Sequence, residues 1–177
     1  MSNEYKDWER EKNKELCGRY PFLIPRNRQT GRIVDPWNYS HTELDTIPTG
    51  WTVAFGEIAC EEIREQLIKE GNLDNYRIAQ LKEKYGTLRW YSYNASDEVR
   101  KIEEKWEYLS QFVCQKCGEI HNLILIPNYD IRLCEKCAKR FERLEKCFMP
   151  IKEQKIIVEH PEYLNSWNKI VRRMENG

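Results

Sequence analysis

Two cysteine pairs carry the most specific chemistry in this chain: Cys114-Gln-Lys-Cys117 and, after sixteen intervening residues, Cys134-Glu-Lys-Cys137. Two residues between the members of a pair let a tight turn aim both thiolates at one ion about 2.3 Å away, and two such pairs complete a tetrahedron. The expected ligand is zinc. Four thiolates leave no coordination position open for water, so the expectation is one structural zinc ion per chain rather than a catalytic centre. Gly118 follows the first pair and suits the left-handed backbone such a turn needs. His121 and Cys147 lie close enough in sequence to replace a ligand. The simpler readings are a strand residue for His121 and a helix-face residue for Cys147.

Other residues offer less specific chemistry. Pro25 to Arg32 carries Arg26, Arg28 and Arg32 with no acid, which makes it either a solvated loop or an arginine surface for phosphate or an acidic partner. His41, Glu43 and Asp45 could form a proton relay, but they fall in a loop. Asp74 with Gln80-Leu81-Lys82 can be aligned with the carboxylate and [DEQ]-x-K of a metal-dependent nuclease, although a glutamine stands for the second acid and the spacing is short. The histidines His41, His121 and His160 belong to no nucleophile–base motif. No catalytic residue is therefore assigned.

These residues need elements to position them. Residues 3–16 form helix, with Tyr5, Trp8 and Leu16 as apolar positions. Residues 17–50 are broken by Pro21, Pro25, Gly31, Pro36, Pro48 and Gly50, and read as an irregular, aromatic-rich layer over a scaffold. Phe55, Ala59, Cys60, Ile63 and Leu67 recur at helical spacing within 52–70, and Cys60 on that stripe is a buried small hydrophobe. YRIAQLKEK and TLRWYSY flank Tyr85-Gly86 as a β-hairpin with Gly86 at positive φ. Leu88 and Trp90 then face the core, and Lys82, Lys84 and Arg89 are left for solvent or a partner. Ser96 caps a helix with the stripe Val99, Ile102, Trp106, Leu109 and Phe112. HNLILIP and IRL read as strands about Asn128-Tyr129-Asp130, and AKRFERLEKCF as a helix starting at the second cysteine pair. That helix has Phe141, Leu144 and Phe148 inside. A strand over 155–159 and a helix after Pro161, with Leu164, Trp167, Val171 and Met174 inside, complete the chain. Knuckle, hairpin and a helix beginning at the second ligand pair is the order of a treble clef; a zinc ribbon is the alternative.

The fold class expected is α+β: helices packed on a small antiparallel β-hairpin or sheet, with a four-cysteine zinc module. Its parts are an aromatic-rich domain over 1–113, the zinc module over 114–148, and a strand and helix over 149–177 that pack back on the core. Lysine plus arginine equals aspartate plus glutamate at 29 each, so nucleic-acid binding would need a local patch. Residues 132–146 hold one such excess, six bases against three acids. The N-terminal sequence is too charged for a signal peptide and no apolar run reaches membrane-spanning length. With seven cysteines, an odd number, this points to a reducing compartment and no membrane partner.

Arg19-Tyr20-Pro21, Gly50-Trp51, Gln80 to Tyr91 (QLKEKYGTLRWY), Cys114-x-x-Cys117-Gly118 and Leu133-Cys134-x-x-Cys137-Ala138 occur in this order. Over roughly residues 17–138 the chain thereby resembles a family of small uncharacterised phage and prophage proteins, whose most specific segment is KEK-aromatic-G-x-LR-aromatic-Y. The resemblance implies a phage or bacterial origin, hence the cytoplasm of a bacterial host, and a C-terminal zinc knuckle with no assigned activity. By analogy with that setting, the expected role is an accessory protein that binds a macromolecular partner. One concrete form is an inhibitor of a host defence nuclease, a Cas9-type anti-CRISPR protein. Its expected contacts are Arg26, Arg28, Arg32, Lys82, Lys84 and Arg89. The alternatives are a nucleic-acid-binding regulator and a metal-dependent nuclease using Lys82.

Overall fold

The structure, a computed structural model, describes residues 3–126, 130–139, 149–150, 156 and 159–176. It is α+β, with helices packed on two small antiparallel sheets. Helix α1 (Asn3–Arg19) runs three residues further than expected. Asn13, Cys17 and Tyr20 are all buried, at helical spacing, so the seam carries the helix down to the core while Trp8 stays exposed. Between α1 and residue 48 the chain makes only 3-10 turns at Pro21–Leu23 and Glu43–Thr46, with one isolated bridge between Arg26 and Ile33. Tyr20, Phe22, Leu23, Trp37, Leu44 and Ile47 are buried in this stretch, which is the aromatic layer expected there.

The next helix starts earlier than its apolar stripe suggests. It comprises α2 (Thr49–Trp51), a wide π turn at Thr52–Gly56, and α3 (Glu57–Lys69), closed by Gly71 at φ 65°. Thr52 Oγ1 donates to Leu44 O across 3.1 Å inside the widened turn. Phe55, Ala59, Cys60, Ile63 and Leu67 are wholly buried, Cys60 among them as expected. Strands β1 (Arg77–Lys84) and β2 (Thr87–Tyr93) form the hairpin. Both residues of its turn have positive φ, Tyr85 at 54° and Gly86 at 74°, the combination whose twist matches the flanking strands.

Helix α4 (Asp97–Leu109) is capped by Ser96, whose Oγ accepts from Val99 N at 3.2 Å. Phe55 of the π turn stacks on Trp106 with centroids 5.3 Å apart. Beyond it come β3 (Leu123–Ile126), β4 (Ile131–Cys134), the short α5 (Glu135–Ala138) and β5 (Met149–Pro150), which pairs with the free side of β3. Asn128, Tyr129, Arg140, Arg143, Lys146 and Cys147, and most of the helix expected after Cys137, lie outside the described residues. The strand expected over 155–159 is corrected where it is described. Ile156 and Glu159 are helical, and His160 N donates to Ile156 O at 3.0 Å. A run of β-branched residues misled there, because Ile156 is a core side chain of a helical turn.

Pro161–Tyr163 opens the last helix, α6 (Leu164–Asn176). Its deepest side chain is Ile170, with Trp167 beside it, while Leu164, Val171 and Met174 are half-buried at the margin. One carboxylate holds three helices together. Glu62 of α3 accepts from Lys105 of α4 (2.6 Å) and from Lys169 and Ser166 of α6 (2.8 and 2.9 Å). Burial opposes charge on Glu62, but the two ammonium groups outweigh it and hold the pKa below its ordinary value. No helix among the described residues is long and apolar enough to cross a membrane.

Candidate metal centre and contact face

The local fold brings Cys114, Cys117, Cys134 and Cys137 together, with all four sulfurs within 4.8 Å of one another. A tetrahedron of sulfurs at the ordinary zinc distance has edges of about 3.8 Å. The Cys117 and Cys134 sulfurs stand 3.6 Å apart, far too wide for a disulfide and close to that edge. The first pair sits on a knuckle in which Gly118 N donates to Cys114 O at 3.0 Å and Gly118 adopts φ 85°. The second pair straddles the junction of β4 and α5, with Cys134 in the N-cap position. The two halves are bound by backbone. Gln115 N donates to Arg132 O (3.0 Å), and Arg132 N donates to the Gln115 side chain (3.2 Å).

The electrostatics suit a cation. Burial disfavours a charged Cys114, yet the N–H groups of Cys134, Cys117 and Lys116 point at its sulfur and hold its pKa below the ordinary thiol value. Burial raises the other three thiols, Cys117 to about 11. A divalent ion among them would supply the opposing charge that all four thiolates require. The four cysteines can therefore hold one metal ion. His121 lies outside this group: it is exposed ahead of β3, with its backbone N–H donating to the Glu119 carboxylate at 3.0 Å.

The module has a small core of its own, made by Leu123, Ile126, Leu133 and Ala138 with Cys114 and Cys134. It is also keyed into the larger core by glycines. A Cβ on Gly50 would fall 2.1 Å from Cys114 O and 2.6 Å from Gly118 N, and Gly50 N donates to Gln115 O at 3.0 Å. Trp51, wholly buried, donates from its indole to Val113 O at 3.2 Å. The pair Gly50-Trp51 is thus the seat of the knuckle, a role that sequence reasoning missed because no periodicity marks it. At the hairpin turn, Arg132 Nη1 donates to Tyr85 O at 3.1 Å and packs against Gly86. The KEKYG segment serves the metal module as well as the strands.

The outward row of the hairpin follows from its register. Opposed pairs Arg77–Tyr93, Gln80–Tyr91, Lys82–Arg89 and Lys84–Thr87 face away from the core, while Ile78, Leu81, Leu88 and Trp90 are buried. A bulge between Ile78 and Gln80 makes this possible, since strict alternation would have put Arg77 on the side of Leu81. The outward row holds four bases and two tyrosines and no acid. Lys82 Nζ lies 5.3 Å over the Tyr91 ring and Lys84 Nζ 5.0 Å over Tyr85. Arg89 is partly committed, with Glu107 Oε2 at 3.6 Å.

The arginine loop closes on itself beside this row. Arg26 Nη1 donates to Gly31 O (3.1 Å), Asn27 N to Arg32 O (2.8 Å), and the Asn27 side chain accepts from Gln29 and Thr30 N (3.0 Å each). Arg26 therefore fastens the loop, and the Arg32 side chain is exposed on it. Arg26 and Arg28 share a cleft with Arg77 and Tyr93, two residues not singled out from the sequence; their facing positions at the open end of the hairpin were the available signal. Of the other candidates, Asp74 is exposed in the turn before β1. Gln80 and Lys82 face outward, and among the described residues only the cysteines form a group of three or more metal-capable side chains. His41 contacts Ser40, while Asp45 accepts from Thr42 N (2.6 Å) and so serves a turn.

Comparison of the chain with protein-family models, with curated proteins and with solved structures yields no match.

Proposed function

We propose that this chain is a non-catalytic, zinc-stabilised binding protein of a mobile genetic element, and that it blocks a host defence nuclease of the Cas9 type by contacting it. The carrying observation is the segregation of charge. In a chain with 29 bases and 29 acids, the outward hairpin row carries bases and tyrosines without an acid, and the arginine loop adjoins it. Surfaces rich in arginine and tyrosine are the ones that supply anchor contacts at protein interfaces. The phage setting of the family that the sequence resembles supports the choice of partner.

Zinc is the metal, because four thiols within 4.8 Å of one another, one pair at 3.6 Å and so near a tetrahedral edge, suit its preference. The module is of treble-clef type, which the order of knuckle, β3–β4 hairpin and a helix starting at Cys134 supports. With its coordination closed, the ion cross-links the fold, tying the knuckle that seats Gly50 to the β4 strand whose Arg132 holds the hairpin turn. The test is capture by the tagged, zinc-loaded protein from a bacterial lysate, with and without nuclease treatment. A nuclease-resistant effector protein that Lys82→Glu with Lys84→Glu no longer retains is the expected result. Magnesium-dependent cleavage lost in Lys82→Ala would overturn it in favour of an enzyme.

A further inference from the structure

We propose that the cleft between the arginine loop and the open end of the hairpin seats the phosphate of a single-stranded nucleic acid, whose next bases stack along the outward face of the hairpin. From the reading above this takes only that this face makes the contact, and it assigns that face a different partner chemistry. The cleft measures about 390 Å³, a volume suited to a nucleotide-sized group. Arg26, Arg28 and Arg77 line it, and no carboxylate does. Among the described residues, Arg28 and Arg77 form no salt bridge. The acid that acts on Arg28, Glu43, is half-buried. Two guanidinium groups thus stand ready at a preorganised, internally hydrogen-bonded loop, the arrangement that favours bidentate phosphate contacts.

The rim supplies the second component. Tyr93 is 50% exposed, with its hydroxyl donating to Arg28 O at 3.4 Å, so its ring stands at the edge of the cleft. Tyr91 is 45% exposed two residues on, and Lys82 and Lys84 continue the row over the eight residues of β1. At about 3.3 Å per residue that row is about 25 Å long. Exposed aromatic rings followed by a run of basic side chains form the usual kind of platform for unpaired strands, because cations track the backbone and every nucleobase offers a face to stack. A duplex hides those faces, so the tyrosines select the single strand.

The experiment is fluorescence anisotropy on the zinc-loaded full chain with labelled dT12, U12 and a duplex of the same length. With Arg28, Arg77, Lys82 and Lys84 each meeting one phosphate, log affinity should fall with log salt at a slope of about −3, roughly fifty-fold between 50 and 200 mM. Arg28→Gln with Arg77→Gln should halve that slope. Tyr93→Ala should weaken binding by about 5- to 150-fold and Tyr93→Phe far less, with zinc content and melting unchanged in all three. Absence of single-strand binding at 50 mM salt, equal binding of the duplex, or indifference to these variants would overturn the inference. If the oligonucleotides fail while Arg28→Gln with Arg77→Gln abolishes capture of a protein, this inference falls and the protein-binding reading stands. Oligonucleotide binding with no protein captured supports this inference and sinks that reading.

Discussion

Gly50→Ala tests how the metal module is joined to the rest of the molecule. The new methyl group would meet Cys114 O at 2.1 Å, Gly118 N at 2.6 Å and the Gln115 carbonyl carbon at 2.8 Å. All three are backbone atoms of the knuckle, so no side chain can swing aside, and the knuckle itself must move. Overpacking of this kind costs about 1–3 kcal/mol, and separating Gly50 N from Gln115 O forfeits a buried hydrogen bond of about 1 kcal/mol. The sum, about 2–4 kcal/mol, is a large part of the stability of an ordinary domain. For a chain of this length it should lower Tm by roughly 5–15 °C. The four sulfurs sit on the knuckle and the β4–α5 junction, which have their own small core. Metal content should therefore match that of the wild type while the melting curve moves. Gly18→Ala is the matched control, because nothing lies within 4 Å of the methyl group it would add and its φ is not positive. It should stabilise α1 by about 0.5–1 kcal/mol. Wild-type melting of Gly50→Ala would refute the argument that this glycine is the rigid seat of the knuckle.

Three further outcomes are expected. Cys114→Ser or Cys134→Ser should release the ion and destabilise the molecule, whereas Cys60→Ala should lower stability by about 2 kcal/mol or less without changing metal content; plasma emission spectroscopy on dialysed protein decides both. Glu62 gives a pH signature. Its folded pKa is held below its unfolded value, so its contribution is complete above the ordinary carboxylate range near about 4.3 and is lost as pH falls through the folded value. Urea midpoints between pH 7 and 3 should decline more steeply in the wild type than in Glu62→Gln, and parallel curves would contradict the assignment. Gly86→Ala should destabilise the hairpin, because its φ is 74° and the added methyl would meet Asp130 O at 2.4 Å; an unchanged urea midpoint would show that the turn relaxes freely.

The parts of this molecule that depend on short-range rules were readable from the sequence. The spacing of Cys114, Cys117, Cys134 and Cys137 anticipates four converging sulfurs, because a knuckle is a local turn. Tyr85-Gly86 between two β-rich arms anticipates the hairpin, and the stripe from Val99 to Phe112 anticipates a buried helix face. What was hidden depends on register or on distant contact. The bulge that turns Arg77 outward is one residue of slip, invisible to a period-two pattern. Gly50 looks like a breaker until the knuckle is placed against it. The π turn at Thr52–Gly56 inserts a residue into a stripe that still reads as helical. Glu103 shows the same limit. It is 4% exposed and accepts from Tyr76 at 2.7 Å, yet its sequence position resembles any solvated glutamate.

The hairpin also has tertiary hydrogen-bond partners along both of its long sides. On the β2 side, Leu88 N donates to Ser110 Oγ (2.8 Å) and Trp90 N donates to the Glu107 carboxylate (2.6 Å), so side chains of the α4 region occupy the donors an added strand would need. On the β1 side, Thr46 Oγ1 donates to Leu81 O at 3.0 Å from the turn that covers that strand. Peptides that bind by β-augmentation require a row of unpaired donors and acceptors, and amyloid-like templating requires the same. A two-stranded sheet partnered in this way offers an added strand only part of its edge, so crowded molecules of this protein have a shortened hairpin edge through which to extend one another.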